Sequence, residues 1–257
     1  MALNHETFFG SDTTKPCTRM VFGISGSGKS VFLKEMLKQA SRSTSYHKMK
    51  RFVVFDVKHE SSYAELLPKK MRPATTIEEF TTQIQKSRIV VVHPPLRSAD
   101  EFLSDIIEFM FVTAQRVDDF AATLVLEESS TFVTPHNIPT NVKRLATQGR
   151  SLGLSLIAVN QRALQNKWLD SQSQSITMWR LARPDSELLK RRWGLCPDST
   201  ETKLAEKKFS FAHFDLETLT LDYYEPIEMT SKSLGAKAEI KPSKPSKAFG
   251  GTLGPKW

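Results

Sequence analysis

Cysteine is nearly absent. Cys17 and Cys196 are the only two in 257 residues, they lie far apart, and neither has a second Cys or a His at metal-ligand spacing. That excludes a cysteine-based zinc site and a disulfide framework, and two reduced, unpaired thiols are expected. Long apolar runs are missing too. None approaches the ~18 residues that cross a bilayer, and the opening MALNHETFFG lacks the basic-then-apolar order of a signal peptide, so a cytoplasmic protein is expected. No internal repeat is present, which sets solenoids and propellers aside. Acidic residues are outnumbered, 28 against 36 basic ones, for a net charge of +8. Most of that excess is at one end. Residues 230–257 hold six lysines against Glu239 alone, which leaves only +3 for residues 1–229, so charge is a weak argument for a polyanionic partner of the core.

What is present fits one α/β domain. The length suits a buried central sheet, with little room for accessory domains, and 39% apolar with 25% charged residues is a folded composition. The first 17 residues read as a polar arm closed by Pro16, and residues 230–257, rich in Lys, Pro, Ser and Gly, read as a flexible tail. Between them, residues 18–229 form the expected catalytic domain. Strands are expected at 19–22, 51–57, 88–93, 122–126, 154–159 and 176–181. Between the strands, apolar residues recur at helical spacing, as in Val31, Phe32, Leu33, Met36 and Leu37, or Phe102, Ile106, Phe109 and Met110. Thr76 with Glu79, Ser98 with Glu101 and Asp198 with Glu201 read as capping boxes, and Gly194 stands where a left-handed C-cap belongs. Residues 209–215 and 219–224 alternate as in a hairpin. Strands alternating with helices predict a mainly parallel sheet with right-handed crossovers, flanked by helices.

The chemistry begins at Gly23. Gly23, Ile24, Ser25, Gly26, Ser27, Gly28, Lys29 and Ser30 fit GxxxxGK[ST], between an expected strand and an expected helix as that motif requires. The glycines let successive N–H groups and the helix start wrap an anion, Lys29 reaches the β and γ phosphates, and Ser30 offers a hydroxyl to Mg²⁺. Gly23, Ser25, Gly26, Ser27, Gly28, Lys29, Ser30 and Val31 are thus the expected ATP-binding residues, and the α/β domain is expected to be a RecA-like P-loop NTPase core. ATP hydrolysis also needs a carboxylate near the metal and a group that orients water. The run TLVLEE supplies both at a strand end: Glu127 for the Mg²⁺ shell and Glu128 to polarise the water.

Residues 144–162, RLATQGRSLGLSLIAVNQR, resemble the FtsK/HerA superfamily of DNA-translocating ATPases, which carry an arginine helix, a Gly-containing turn, a hydrophobic strand and Gln-Arg. FVVFDVKHE, with Asp56 and Lys58, is similar to the superfamily's second-strand motif, and Ala163 replaces the usual proline after Gln-Arg. The resemblance runs over about residues 18–181. It implies that Gln161 senses the γ-phosphate and that Arg144 or Arg150 reaches a neighbouring subunit's nucleotide, with the choice between the two left open. It also implies a hexameric ring acting on double-stranded DNA. Stripped-down members of this superfamily include the genome-packaging ATPases of tailless icosahedral viruses with internal membranes, which this chain resembles in size. That implies a packaging motor in the host-cell cytoplasm or at a virion vertex, with capsid vertex or membrane proteins as further partners. The alternatives are a DNA helicase or conjugation-type translocase, and an assembly ATPase that switches with nucleotide and translocates nothing.

Overall fold

Strands with every residue buried dominate the middle of the chain, and alternation along them sets a three-layer arrangement. The computed structural model describes residues 3–9, 17–59, 61–163, 166–195 and 197–226. In chain order the elements are α1 (His5–Phe9), β1 (Thr18–Phe22), α2 (Lys29–Arg42), β2 (Lys50–Phe55), α3 (Ser61–Ala64), α4 (Ile77–Lys86), β3 (Ile89–Val92), α5 (Ala99–Arg116) and β4 (Ala121–Leu126), followed by α6 (Thr140–Gln148), β5 (Leu154–Asn160), α7 (Lys167–Gln172), β6 (Ser173–Met178), α8 (Arg183–Trp193), α9 (Pro197–Glu206), β7 (Phe211–Asp215) and β8 (Thr220–Tyr224). The eight strands form one sheet in the order β3-β2-β4-β5-β1-β6-β7-β8, parallel through β6 and closed by the antiparallel hairpin β7-β8.

Successive residues of β2 go to opposite faces. Val53 and Phe55 pack with Phe80, Phe102, Ile106 and Met110 of α4 and α5, whereas Phe52 and Val54 pack with Leu33, Met36 and Leu37 of α2. A third cluster, with Met20, Ile176, Met178, Leu189 and Phe214, lies under α8 and α9. Strands buried on both faces read as continuous apolar runs, which is the signature of a parallel sheet covered on each side.

The N-terminal expectation needs a correction for residues 3–9. Leu3, Phe8 and Phe9 are buried in the α2-side core, with the Phe8 ring edge-on to Phe32 at 4.9 Å, so α1 is a docked piece of the core. Too short to show periodicity, it carries apolar side chains large enough to seat it. Two helix starts also differ from one another. Thr76 accepts from the Glu79 amide at 3.2 Å, while the Glu79 carboxylate takes the Thr75 amide and hydroxyl, which hold its pKa down. Ser98 makes no side-chain cap, because its backbone (φ −133°, ψ 28°) leaves the extended conformation that aims a cap hydroxyl at the first turn. Gly194 closes α8 at φ 71°, as expected. Helix α7 was not anticipated, since only Leu169 of KWLDSQ is buried. Strand β6 ends at Met178, three residues early, and releases Trp179 toward the loop after β1. The tail expected at 230–257 lies outside the described residues.

A buried histidine braces the hairpin against β6. His213 Nδ1 lies 2.9 Å from Thr177 Oγ1, and burial first, with Arg19 adding and Asp215 opposing, pushes its pKa down to about 4. The unfolded chain, with a histidine near 6.5, binds more protons below that pH than the fold does. Stability should therefore fall as pH drops from about 6.5 to 4, by at most about 3 kcal/mol from this group. Melting His213→Asn beside wild type across that range should show the acid sensitivity reduced in the variant.

Candidate nucleotide-hydrolysis site

Five neighbouring parallel strands end in the residues that matter. Across the sheet these are Asp56 and Lys58 after β2, Glu127 and Glu128 after β4, Gln161 after β5, the glycine-rich loop after β1, and Trp179 after β6. Register fixes the neighbourhood: Phe22 pairs with Asn160 on one side and with Met178 on the other, so the loop leaves the sheet between Gln161 and Trp179. Strand β5 stands between the loop strand and the carboxylate strand, which separates the two halves of the site by one strand width and puts Gln161 in the gap.

The loop is built for close approach. A Cβ on Gly23 would lie 2.7 Å from Ser27 Oγ and 2.8 Å from Trp179 Cβ, so only glycine fits there. Gly26 has φ 70°, and Gly28, the N-cap of α2, has φ 107°, both in the region that favours glycine. Ile24 N–H donates to Arg180 O at 3.1 Å and Ser27 N–H to Ile24 O at 3.2 Å, which pins the turn. Lys29 is buried, and its Nζ donates to Gly23 O at 2.6 Å and Ile24 O at 3.1 Å, so the ammonium sits within the loop's concavity. Ser27 Oγ is buried without a hydrogen-bond partner. A cradle that a Cβ would fill, a lysine head held inside it and an orphaned hydroxyl suit a bound phosphate chain.

On the carboxylate side, Glu127 is buried and accepts a hydrogen bond from the Tyr63 hydroxyl. Glu128 has φ 46° and ψ 49°, a left-handed backbone that costs a branchless but bulky residue on the order of 1 kcal/mol or more. Its Oε1 accepts from Gln161 Nε2 at 2.8 Å and is ion-paired with Lys58. The turn that strains Glu128 thereby aims its carboxylate across β5's end toward Gln161. Behind Lys58, Asp56 Oδ1 accepts the Lys58 amide at 3.0 Å, and its Oδ2 lies 3.4 Å from His93 Nε2. His93 stacks on His59 at 4.7 Å, and burial chiefly, opposed by Asp56 and assisted by His59, holds its pKa below the usual value. A cleft of about 320 Å³ opens beside Glu128, lined among others by Lys58, Leu96 and Thr131.

Glu127, Glu128, Gln161 and the loop are thus brought to one end of the sheet. The two arginines are elsewhere. Arg144, on α6, pairs with Glu108 of α5 at 2.8 Å and lies over the Phe111 ring at 4.0 Å. Arg150 is exposed in the 3-10 turn Gly149–Leu152, which enters β5 at the end opposite Gln161. Tyr63, Trp179 and Phe209 escape sequence reasoning because no motif marks them and they reach the site from distant elements. Ala163 has a local reason: its N–H donates to Asp185 Oδ1 at 3.3 Å, a bond that proline cannot make.

No protein-family model matches the chain, and no curated protein matches it in sequence. Among solved structures it is similar to the genome-packaging NTPase B204 of Sulfolobus turreted icosahedral virus 2 in complex with ATP-gammaS, at 18% identity and TM-score 0.61, over 83% of this chain and 98% of that one. B204, the DNA-packaging ATPase of Sulfolobus turreted icosahedral virus, matches at 16% identity and TM-score 0.64, over 83% and 100%. The cytoplasmic domain of the Thermomonospora curvata type VII secretion ATPase EccC matches at 14% identity and TM-score 0.56, over 87% of this chain but 26% of that one. At these identities the likeness is one of fold: a mainly parallel α/β sheet flanked by helices, shared with these NTPases.

Proposed function

We propose that the chain is an ATPase that translocates double-stranded DNA, and specifically a viral genome-packaging motor that pumps DNA into a preformed capsid. The observation that carries the ATPase reading is the hydrogen bond from Gln161 to Glu128 beside a glycine cradle that encloses Lys29. It links the group that would sense the γ-phosphate to the group that would orient water. The complexes of B204 with ATP-gammaS and AMPPCP, in the same fold, support nucleotide binding here. Gly23, Ser25, Gly26, Ser27, Gly28 and Val31 would wrap the phosphates with backbone N–H groups, and Lys29 would leave the loop carbonyls for the terminal phosphates. Ser30 and Glu127 suit Mg²⁺, a hard ion that takes one or two protein oxygens and keeps waters and phosphate oxygens for the rest. Bound there, it would neutralise charge on the β and γ phosphates. Glu128 would accept a proton from the attacking water while Gln161 and Lys58 hold its carboxylate.

The packaging reading rests on the likeness to B204 in fold, extent and economy. A closed ring, six subunits by family resemblance, would place Arg150 or Arg144 of one subunit against the nucleotide of the next. The motor unit spans residues 18–229 with α1 docked on it, working in the host cytoplasm at a capsid vertex where capsid or membrane proteins would receive it. Among the described residues no helix is long and apolar enough to cross a membrane.

Turnover with and without linear double-stranded DNA across a salt titration tests this. Stimulation of at least severalfold that fades with salt is expected, because phosphate contacts release counterions and carry no sequence preference. Turnover indifferent to DNA at low salt, in assembled protein, would replace the motor with an assembly switch. Strand displacement would replace packaging with a helicase.

A further inference from the structure

The loop 207–210 joins α9 to β7 as a turn closed by Ser210 N–H donating to Lys207 O at 3.1 Å. Its third residue is Phe209 with φ 69°, a position normally given to Gly or Asn, because a bulky side chain is strained there. The ring is also 44% exposed, so the strain is not offset by full burial. Yet its place is well defined. A Cβ built on Gly28 would lie 3.4 Å from Phe209 Cδ1, so the ring leans on the N-cap of the P-loop helix. The Trp179 indole nitrogen lies 3.4 Å from the same point, and that indole stacks on Phe211, and Phe211 on Tyr224. A buried aromatic stack and an exposed ring thus meet at Gly28, beside the phosphate cradle, with Lys208 Nζ 4.9 Å from the centroid of the exposed ring. Val31, 37% exposed, stands one helical turn from Gly28 on that side of α2.

Resting on the reading of Gly23–Ser30 as a triphosphate site, we infer that Phe209 is the platform on which the base of the bound nucleotide stacks. Three phosphates fill the loop, so the sugar and base must leave it past the start of α2, where Gly28 and Val31 lie. An exposed ring held there by a strained turn fits a flat, apolar-faced base better than it fits water. Stacking engages the π-face that every base has, so the platform gives affinity with little choice between adenine and guanine.

Calorimetric titration with a non-hydrolysable ATP analogue and with inorganic tripolyphosphate separates base from phosphate. Phe209→Ala should weaken the analogue roughly 5- to 100-fold and leave tripolyphosphate within twofold, and Phe209→Trp should retain both. Phe209→Gly should show the same selective loss with a melting temperature at or above wild type, since glycine relieves the turn, which separates lost stacking from lost folding. Analogue affinity within twofold of wild type in the Ala and Gly variants, or equal weakening of both ligands, overturns the platform alone. Wild-type protein that binds neither ligand overturns the triphosphate site, and the platform with it.

Discussion

Glu128→Gln should abolish steady-state turnover, by on the order of 10²–10⁴, while nucleotide binding stays within a few-fold of wild type. The substitution keeps the shape of the side chain and an oxygen that can accept from Gln161 Nε2, now 2.8 Å from Glu128 Oε1. It removes the negative charge that Lys58 pairs with and the ability to take a proton from water. None of these changes touches the cradle, in which Lys29 and the loop carbonyls are held by their own bonds. Lys29→Ala should behave differently, losing turnover and binding together, because its charge serves the ground state as well as the transition state. Single-turnover hydrolysis with calorimetric binding separates the two patterns. A Glu128→Gln protein that turns over at the wild-type rate would move the base elsewhere. The backbone at φ 46° sharpens the case. Glu128→Asn, an easier residue in that conformation, should raise the melting temperature by the equivalent of about 1 kcal/mol while remaining inactive. Strain kept at the cost of stability is what a working carboxylate requires.

Most of this row of residues was legible because it is local. A loop of fixed spacing between a strand and a helix needs no tertiary knowledge, and TLVLEE announces a buried strand with carboxylates at its end. Gln161 was marked by resemblance, and register gives its place: β5 lies between β4 and β1, so the residue that follows Asn160 lies between the ends of both. Other features depend on contacts between distant segments. Phe8 and Phe9 read as part of a polar arm because five residues show no period, yet burial beside Phe32 and Phe52 decides their place. Tyr63 approaches Glu127, and Trp179 approaches Gly23, across 64 and 156 residues of chain respectively. The Ser98 capping box fails for a subtler reason: the two preceding prolines and the turn from Pro95 O to the Ser98 amide fix a backbone that its hydroxyl cannot exploit. Pattern reports what a segment prefers, and the fold decides whether its neighbours allow it.

Mixing two inactive variants should restore activity if the site is completed by a neighbour. Arg150 enters β5 at the end opposite Gln161, and seven residues of extended strand span roughly 20 Å, further than an arginine side chain extends. Arg150 therefore cannot serve its own loop, while its exposure leaves it available to another subunit. Arg144, by contrast, is engaged by Glu108 and Phe111 of the same chain. Arg150→Ala should lower turnover by as much as 10³, the lower range for an arginine that stabilises transition-state charge in phosphoryl transfer, with the fold and nucleotide binding unchanged. Lys29→Ala supplies an intact Arg150 but no working loop, and Arg150→Ala supplies the reverse. In a randomly mixed ring about a quarter of the interfaces would pair an intact loop with an intact arginine, so the mixture should hydrolyse ATP well above the sum of its components. Arg144→Ala in the same mixture should show no such rescue and should mainly lower the melting temperature. The opposite pattern, rescue with Arg144→Ala and none with Arg150→Ala, would transfer the role to Arg144. Rescue with neither would mean that each subunit completes its own site.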